Sequence, residues 1–320
     1  MRILVFGAGA IGSVLGGLLA EAGHDVTLLG RAPHLDRIRQ EGLTVSGLWG
    51  THRIRTLRTA TAPGGLQHPD AFDWVLVCVK AYQTAEAADA LVPLLGPATL
   101  VCAFQNGLGN YEALTRRVPP ARVALGRVIF GAELEPGQVR VTVCADDVLI
   151  GAPDAAFPDD AVARLVDAMR ASGIPTRRHP AILTALWGKV LYNCALNGLS
   201  TLLEVPYGRL PEQPHVRRLM EVVIEEAYRI AAAHRIVLEP ADAAAYRALL
   251  FGRLIPATAA HQPSMLQNLR RGRPTEIDAM NGALVRLAEQ AGVAAPANAL
   301  ITRLVHAKER FLGVAPAPGL

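Results

Sequence analysis

Lysine is scarce in this 320-residue chain: Lys80, Lys189 and Lys308 are the only three among 32 basic residues. Arginine is the default cation, so each lysine raises the question of what arginine would not do there. Cysteine is sparse too. Cys78, Cys102, Cys144 and Cys194 form no CxxC pair, which argues against a zinc site and against a disulfide scaffold. Three of them lie in or beside apolar strand-like runs, as small buried hydrophobes; reduced thiols of this kind fit the cytoplasm, and no metal site is expected. No apolar run reaches the roughly 20 residues of a membrane span without a charged or strongly polar interruption. Charge of one sign is lacking as well, at a net +4, and the arginine pairs Arg116/Arg117, Arg177/Arg178 and Arg217/Arg218 have no aromatics between them. That is not the footprint of a nucleic-acid binder, though a mildly basic surface suits small anionic ligands. With 51% apolar and 19% charged residues the composition is that of an ordinary globular protein. At about 150 residues per domain, two domains are expected.

The first thirty residues carry the strongest local pattern. Arg2-Ile3-Leu4-Val5-Phe6 is a short apolar strand, followed at once by Gly7-Ala8-Gly9-Ala10-Ile11-Gly12, a complete GxGxxG. Helix formers run on to Glu21, Gly23 stops them, and Val26 to Leu29 reads as a second strand. A secretory leader is the competing reading of such an apolar start. Strand, glycine turn, helix and strand in this order instead form the context in which GxGxxG binds a dinucleotide. Gly7 permits the sharp turn, Gly9 lets backbone approach a pyrophosphate, and Gly12 allows close helix–strand packing, while the helix N-terminus offers N–H groups to phosphate. At the end of the second strand, where an acid would bind the ribose hydroxyls of NAD, stands Arg31. An arginine there suits the 2′-phosphate of NADP; the bland reading is a solvated loop residue.

Phe72 to Val79 and Thr99 to Phe104 read as strands buried on both faces, separated by a helix from Thr84 to Leu95. They end in Lys80 and in Gln105-Asn106-Gly107. Ligands of doubly wound sheets bind beyond the carboxyl ends of strands, so Lys80 and Asn106 are expected beside the cofactor. From Arg122 to Ile150, β-type runs with a turn at Glu135-Pro136-Gly137 read as antiparallel strands added at the sheet's far edge. A helix from Asp159 to Ala171 and a short strand before Arg177 complete this half. From Pro180 on, helical patterns succeed one another, at about 181–203, 212–235, 240–252, 264–271, 275–291 and 297–312, with a frayed tail from Gly313 to Leu320. The fold expected is α/β: a Rossmann-type dinucleotide-binding domain over residues 1–179, followed by an all-helical substrate and catalytic domain over 180–320.

Inside the first of those helices, Lys189, Asn193 and Asn197 are spaced i, i+4, i+8 and project from one face. An ammonium and two carboxamides on an otherwise apolar helix require partners. They read either as an exposed polar stripe or as the wall of a cleft facing a nicotinamide. In the latter case Lys189 stabilises the oxyanion that hydride delivery creates on a ketone and then protonates it. Arginine would supply charge but not readily a proton. A second cluster holds Ser264, a candidate for a substrate carboxylate, and Glu276, a candidate partner for Lys189 or a cofactor hydroxyl. Thr275 and Asp278 there also fit an S/T-x-x-D helix start.

These pieces in this order, GAGAIG at 7–12, Arg31, VCVKAYQT with Lys80, QNGLGN with Asn106, WGKVLYNCALN with Lys189, and SMLQNL to RPTEID at 264–278, resemble the ketopantoate reductase (2-dehydropantoate 2-reductase) family over nearly the whole chain. The resemblance implies NADPH-dependent reduction of 2-dehydropantoate to (R)-pantoate, on the route to pantothenate and coenzyme A. By position, Gly7, Ala8, Gly9, Ala10, Ile11 and Gly12 correspond to the pyrophosphate loop and Arg31 to the 2′-phosphate contact. Lys80, Asn106, Ala132 and Glu276 correspond to other cofactor contacts. Lys189 corresponds to the proton donor, and Asn106, Asn193, Asn197 and Ser264 to substrate contacts. Three positions depart from the family pattern: Gly198 of Asn197-Gly198 where the family often has Asn-Pro, Tyr207 where some members carry a substrate asparagine, and Asn268 in place of aspartate. The alternatives are a related NADP-dependent dehydrogenase for another 2-keto or hydroxy acid, or a non-catalytic NADP sensor. A small-molecule 2-keto acid is the expected partner, with no nucleic acid and no membrane; a homodimer stays open.

Overall fold

In the computed structural model, which describes residues 1–66 and 72–317, the chain divides into two compact units. The first comprises Met1–Gln105 and Asn110–Ile182, the second Asn106–Gly109 and Leu183–Leu320. Each has its own apolar core.

The first unit is built on an eight-stranded sheet. Strand β1 (Arg2–Phe6) leads through the glycine turn into α1 (Ala10–Glu21), and β2 (Asp25–Leu29) returns parallel to β1, with Ile3 opposite Val26 and Phe6 opposite Leu29. After α2 (Ala32–Glu41) the chain leaves for a smaller sheet, β3 (Leu43–Gly47) and β4 (His52–Ile54), and comes back as β5 (Arg58–Ala60) beside β2. Next come β6 (Trp74–Val77), α3 (Thr84–Leu91), β7 (Leu100–Ala103), α4 (Asn110–Thr115) and β8 (Val123–Arg127). The remainder is β9 (Phe130–Glu135), β10 (Gln138–Cys144), β11 (Val148–Gly151), α5 (Asp159–Ala171) and β12 (Thr176–Arg178). The order across the large sheet is β12-β11-β8-β7-β6-β1-β2-β5. Strand order reverses between β1 and β6, the switch point beyond whose carboxyl ends a ligand crevice is expected. Strands β6 and β7 are fully buried, as continuous apolar runs in a parallel sheet must be.

The segment 122–150 departs from the antiparallel edge expected of it. Strand β8 runs parallel to β7 inside the large sheet, and only β11 pairs antiparallel, on β8. The hairpin β9–β10 joins β3 and β4 in the separate four-stranded sheet, with β10 parallel to β3. Period-2 alternation in β10, where Val139 and Val141 are buried and their neighbours exposed, marks a one-sided strand but not its partner sheet. The expected turn at Glu135-Pro136-Gly137 does join β9 to β10, and Gly137 takes a φ of 77°.

The second unit is helical among its described residues. It contains α6 (Ile182–Leu203), α7 (Pro214–Ala233), α8 (Ala243–Leu249), a π-helical turn at Leu250–Leu254 running into α9 (Ile255–Ala257), α10 (Ser264–Arg270), α11 (Asn281–Ala291) and α12 (Pro296–Phe311). Proline at N1 opens α7 and α12, where the missing N–H costs nothing. Gly292 closes α11 in the left-handed region at φ 65°. The helix expected over 275–291 begins later, because 277–279 forms a tight 3₁₀ turn before α11. Half of the S/T-x-x-D reading holds, with the Ile277 N–H donating to Thr275 Oγ1 at 3.3 Å, and the reciprocal half is displaced. The Thr275 N–H is taken by Glu309 Oε1 at 2.7 Å, and Asp278 turns to His306 at 2.9 Å. Of the tail expected to fray, Val314 is buried and 318–320 lie outside the described residues.

Buried Glu226 ties the helices together. Its carboxylate accepts the Ala297 and Asn298 backbone N–H groups at 2.9 and 3.0 Å and the Asn298 amide at 2.7 Å. It thereby satisfies the open N–H groups of α12 and meets the positive end of its dipole. Asn281 continues the chain of bonds from Asn298 to the Cys194 carbonyl of α6.

Candidate active site

In the first unit the glycine turn is shaped by what a side chain would strike. Gly7, at φ 114°, would put a Cβ 2.6 Å from the Val79 nitrogen at the end of β6. At Gly12 a Cβ would lie 2.2 Å from the Gly7 carbonyl oxygen. At Gly9 it would meet nothing within 4 Å, so the backbone is bare toward open space at the start of α1. Turn, cradle and close packing thus fall on the three glycines as the motif requires, with Ala8, Ala10 and Ile11 between them, and the arrangement fits a dinucleotide pyrophosphate. The Gly7 and Ala8 N–H groups donate to the Leu29 carbonyl at 3.0 and 2.8 Å, binding the loop to the end of β2. Two residues on, Arg31 is exposed and caps α2. Gly30, which carried no signal in the sequence, is needed for this joint: a Cβ there would meet that of Ala8 at 2.7 Å. Lys80 follows β6, half-buried, at the start of the turn Ala81–Gln83. Ala132 lies in β9 of the smaller sheet, opposite Val141 of β10, and β9 packs on α1.

The second unit assembles the other candidates. Helix α6 is apolar around most of its surface, so its polar residues are carried inward with it. Asn193 and Asn197 are buried, and Lys189 is half-buried one turn before them. The exposed-stripe reading therefore fails for the two asparagines. Lys189 Nζ donates to Asn106 Oδ1 at 2.5 Å. Asn106 reaches it on the segment Asn106–Gly109, which is pinned to the turn before α11: the Leu108 N–H donates to the Ala279 carbonyl at 2.8 Å. Gly107 is obligatory there, since at φ 86° its Cβ would come within 2.3 Å of the Ala279 oxygen. The same turn is preceded by buried Glu276 and followed by Met280, whose Sδ lies 3.8 Å from Asn197 Nδ2. Ser264 is exposed at the first turn of α10.

Asn197 Nδ2 also donates to Asn193 Oδ1 at 3.2 Å, while its own Oδ1 accepts the Tyr207 hydroxyl at 2.9 Å. Burial pushes the Tyr207 phenol well up, so it keeps its proton at neutral pH. Burial raises Tyr192 too, against the hydroxyl of Thr258, which favours the charged form. The departure at Gly198 has a packing cause: a Cβ there would come 2.5 Å from Ile301 of α12. The third lysine has a structural task. Lys308 Nζ donates to the Thr201 carbonyl at 2.8 Å and to Glu204 Oε1 at 2.7 Å, closing the C-terminal end of α6.

The model of the ketopantoate reductase PanE/ApbA family matches residues 3–155, and that of its C-terminal part matches 181–309. A 2-dehydropantoate 2-reductase of Aquifex aeolicus is 38% identical, over 97% of this chain and 98% of its own. Among solved structures, a PanE/ApbA family ketopantoate reductase from Ralstonia eutropha superposes with a TM-score of 0.86 at 32% identity, covering 98% of this chain and 100% of that one. A D-mandelate dehydrogenase solved with NADH and anilino(oxo)acetate gives a TM-score of 0.88 at 28% identity, with the same coverage. Both the glycine loop and the lysine–asparagine row lie within the matched segments, and the chain belongs to the ketopantoate reductase family.

Proposed function

We propose that the protein is an NADPH-dependent 2-dehydropantoate 2-reductase, an oxidoreductase acting on a CH–OH group, which reduces ketopantoate to (R)-pantoate for pantothenate and coenzyme A biosynthesis. Residues 1–179 form its NADP-binding domain and residues 180–320 its substrate and catalytic domain. When bound, NADPH supplies the hydride to the keto carbon. Gly7 to Gly12 hold the pyrophosphate against the N-terminus of α1, and Arg31 pairs with the 2′-phosphate, which a carboxylate would repel. Lys80, Asn106, Ala132 and Glu276 complete the cofactor contacts. Lys189 donates a hydrogen bond to the keto oxygen, stabilises the negative charge that grows there, and passes its proton to that oxygen as the C–H bond forms. In the reverse direction a neutral Lys189 takes the proton back. Asn106, Asn193, Asn197 and Ser264 bind the substrate's carboxylate and hydroxyls.

The observation that carries this reading is the Lys189 ammonium held on Asn106 beside two buried asparagines. The reading extends to a cytoplasmic enzyme, with a homodimer left open. Among the described residues no helix is long and apolar enough to cross a membrane. The test is loss of reduced-nicotinamide absorbance with NADPH and ketopantoate, run beside a panel of 2-keto acids and repeated with NADH. Preferred turnover of ketopantoate with NADPH is expected; tight NADPH binding without turnover of any keto acid would overturn the proposal. A second reading, reduction of another 2-keto acid, is favoured by the D-mandelate dehydrogenase neighbour and by the departures at Gly198, Tyr207 and Asn268. The same panel decides between them.

A further inference from the structure

Tyr207 belongs to no part of the catalytic set, yet it is buried and hydrogen-bonded to a member of it. It lies in the 3₁₀ turn Tyr207–Glu212 between α6 and α7, and its N–H donates to the His261 carbonyl at 3.1 Å. Its ring is wedged between Tyr192, at 5.8 Å and edge-on, and His261, at 5.1 Å. Only the hydroxyl is polar, and it reaches Asn197 Oδ1 at 2.9 Å.

That bond decides how Asn197 faces. A phenol proton needs an acceptor, so the carboxamide must turn its oxygen to Tyr207. On the other side stands the thioether of Met280, an acceptor only, so the amide must turn its nitrogen there. Two neighbours of opposite character thus hold the buried Asn197 in one orientation. Its second N–H then points along α6 to Asn193 Oδ1 at 3.2 Å. With its oxygen spent as an acceptor, Asn193 has its N–H groups left for a substrate. Asn193 therefore offers donors, the complement of a carboxylate, which only accepts.

We propose that Tyr207 is a positioning residue that sets the polarity of the asparagine row: its proton fixes Asn197, Asn197 fixes Asn193, and Asn193 presents N–H donors to the carboxylate of the 2-keto acid. This rests on the proposed function for its substrate. In it Asn197 orients Asn193 besides lining the substrate site, and a tyrosine at position 207 does from behind what a substrate-facing side chain would do directly.

The test is Tyr207→Phe, which keeps the ring and removes the proton. Freed to turn over, Asn197 offers Asn193 either face. The KM for the keto acid is expected to rise about tenfold, as for one lost charge-assisted hydrogen bond, with kcat and the NADPH dissociation constant within about twofold. Met280→Leu, which removes the sulfur acceptor, should give a smaller KM rise with the same split. Hydrogen exchange of the side-chain amides in protein labelled with ¹⁵N-asparagine gives a readout that needs no substrate. Slow exchange of the Asn197 amide in the wild type and its collapse in Tyr207→Phe support the relay. An unchanged KM, equal losses in kcat and KM, or unchanged exchange would each overturn it. Should the wild type reduce no keto acid, the functional reading falls and the exchange comparison alone decides the relay.

Discussion

The glycine turn of the first unit, the proposed anion-binding edge, is made of backbone, whereas the polar row of the second is made of side chains that hold one another. At the glycine turn, Gly7, Gly9 and Gly12 matter through the atoms they lack, and the N–H groups at the start of α1 need no side chain to aim them. In the helical unit the candidate row is Lys189, Asn193 and Asn197, and two of the three lean on neighbours distant in sequence: Lys189 on Asn106, Asn197 on Tyr207 and Met280. A backbone site is written in consecutive residues and tolerates little inside the motif. A side-chain site is written across the chain, and its members are replaceable at graded cost.

Breaking the row at its head has the largest expected effect. Lys189→Ala should lower kcat by about 10²–10⁴-fold, the range for a lost general acid, while NADPH binding is retained. Steady-state kinetics beside cofactor fluorescence titration measures both, and unimpaired turnover would remove Lys189 from the chemistry. The glycines sharpen the contrast within one motif. Gly12→Ala drives a Cβ into the Gly7 carbonyl and should cost about 1–3 kcal/mol of stability. Gly9→Ala meets no protein atom within 4 Å, so Tm should hold while NADPH binding weakens. Equal losses of stability in the two variants would contradict the division of roles. Arg31→Ala should weaken NADPH by about tenfold or more, the worth of a charge-assisted contact, and leave NADH nearly untouched. Parallel titrations with the two cofactors decide, and an equal loss for both would exclude the 2′-phosphate contact.

The smallest effect concerns pH. Burial by itself lowers the pKa of His306, but hydrogen bonds to Asp278 and Glu309 outweigh it and hold the imidazole above 6.5. A raised folded pKa means that the bridge stabilises fully below the unfolded value, and the contribution fades as pH climbs through the folded one. Glu309 also accepts the Thr275 N–H next to Glu276, so this loss loosens the turn that pins the Asn106 segment. Melting curves from about pH 6 to about pH 9 should show a modest decline that His306→Gln removes. A decline of the same size in the variant would assign it to other groups.

Much of this molecule is legible one residue after another. The βαβ start, the buried strands ending at Lys80 and Asn106, the helical second half and the i, i+4, i+8 face of α6 are all local periodicities. The strands between 122 and 150 were harder for a physical reason. An alternating strand states which face is buried, not which sheet will cover it, and β9–β10 chose β3–β4. Glu309 displaced half of a capping pattern that the sequence supported, because its carboxylate, carried on α12, accepts the Thr275 N–H in place of Asp278. Tyr207 left no signal beyond its departure from the family pattern.

Sequence alone determined what is decided within a turn or two of chain: where backbone bends without a Cβ, which faces are apolar, and that a rare lysine sits on a buried helix. Tertiary structure alone decided which polar atoms face each other. Hydrogen-bond direction is set by partners brought from elsewhere, and whether an asparagine offers oxygen or nitrogen depends on the atom that folding places opposite it.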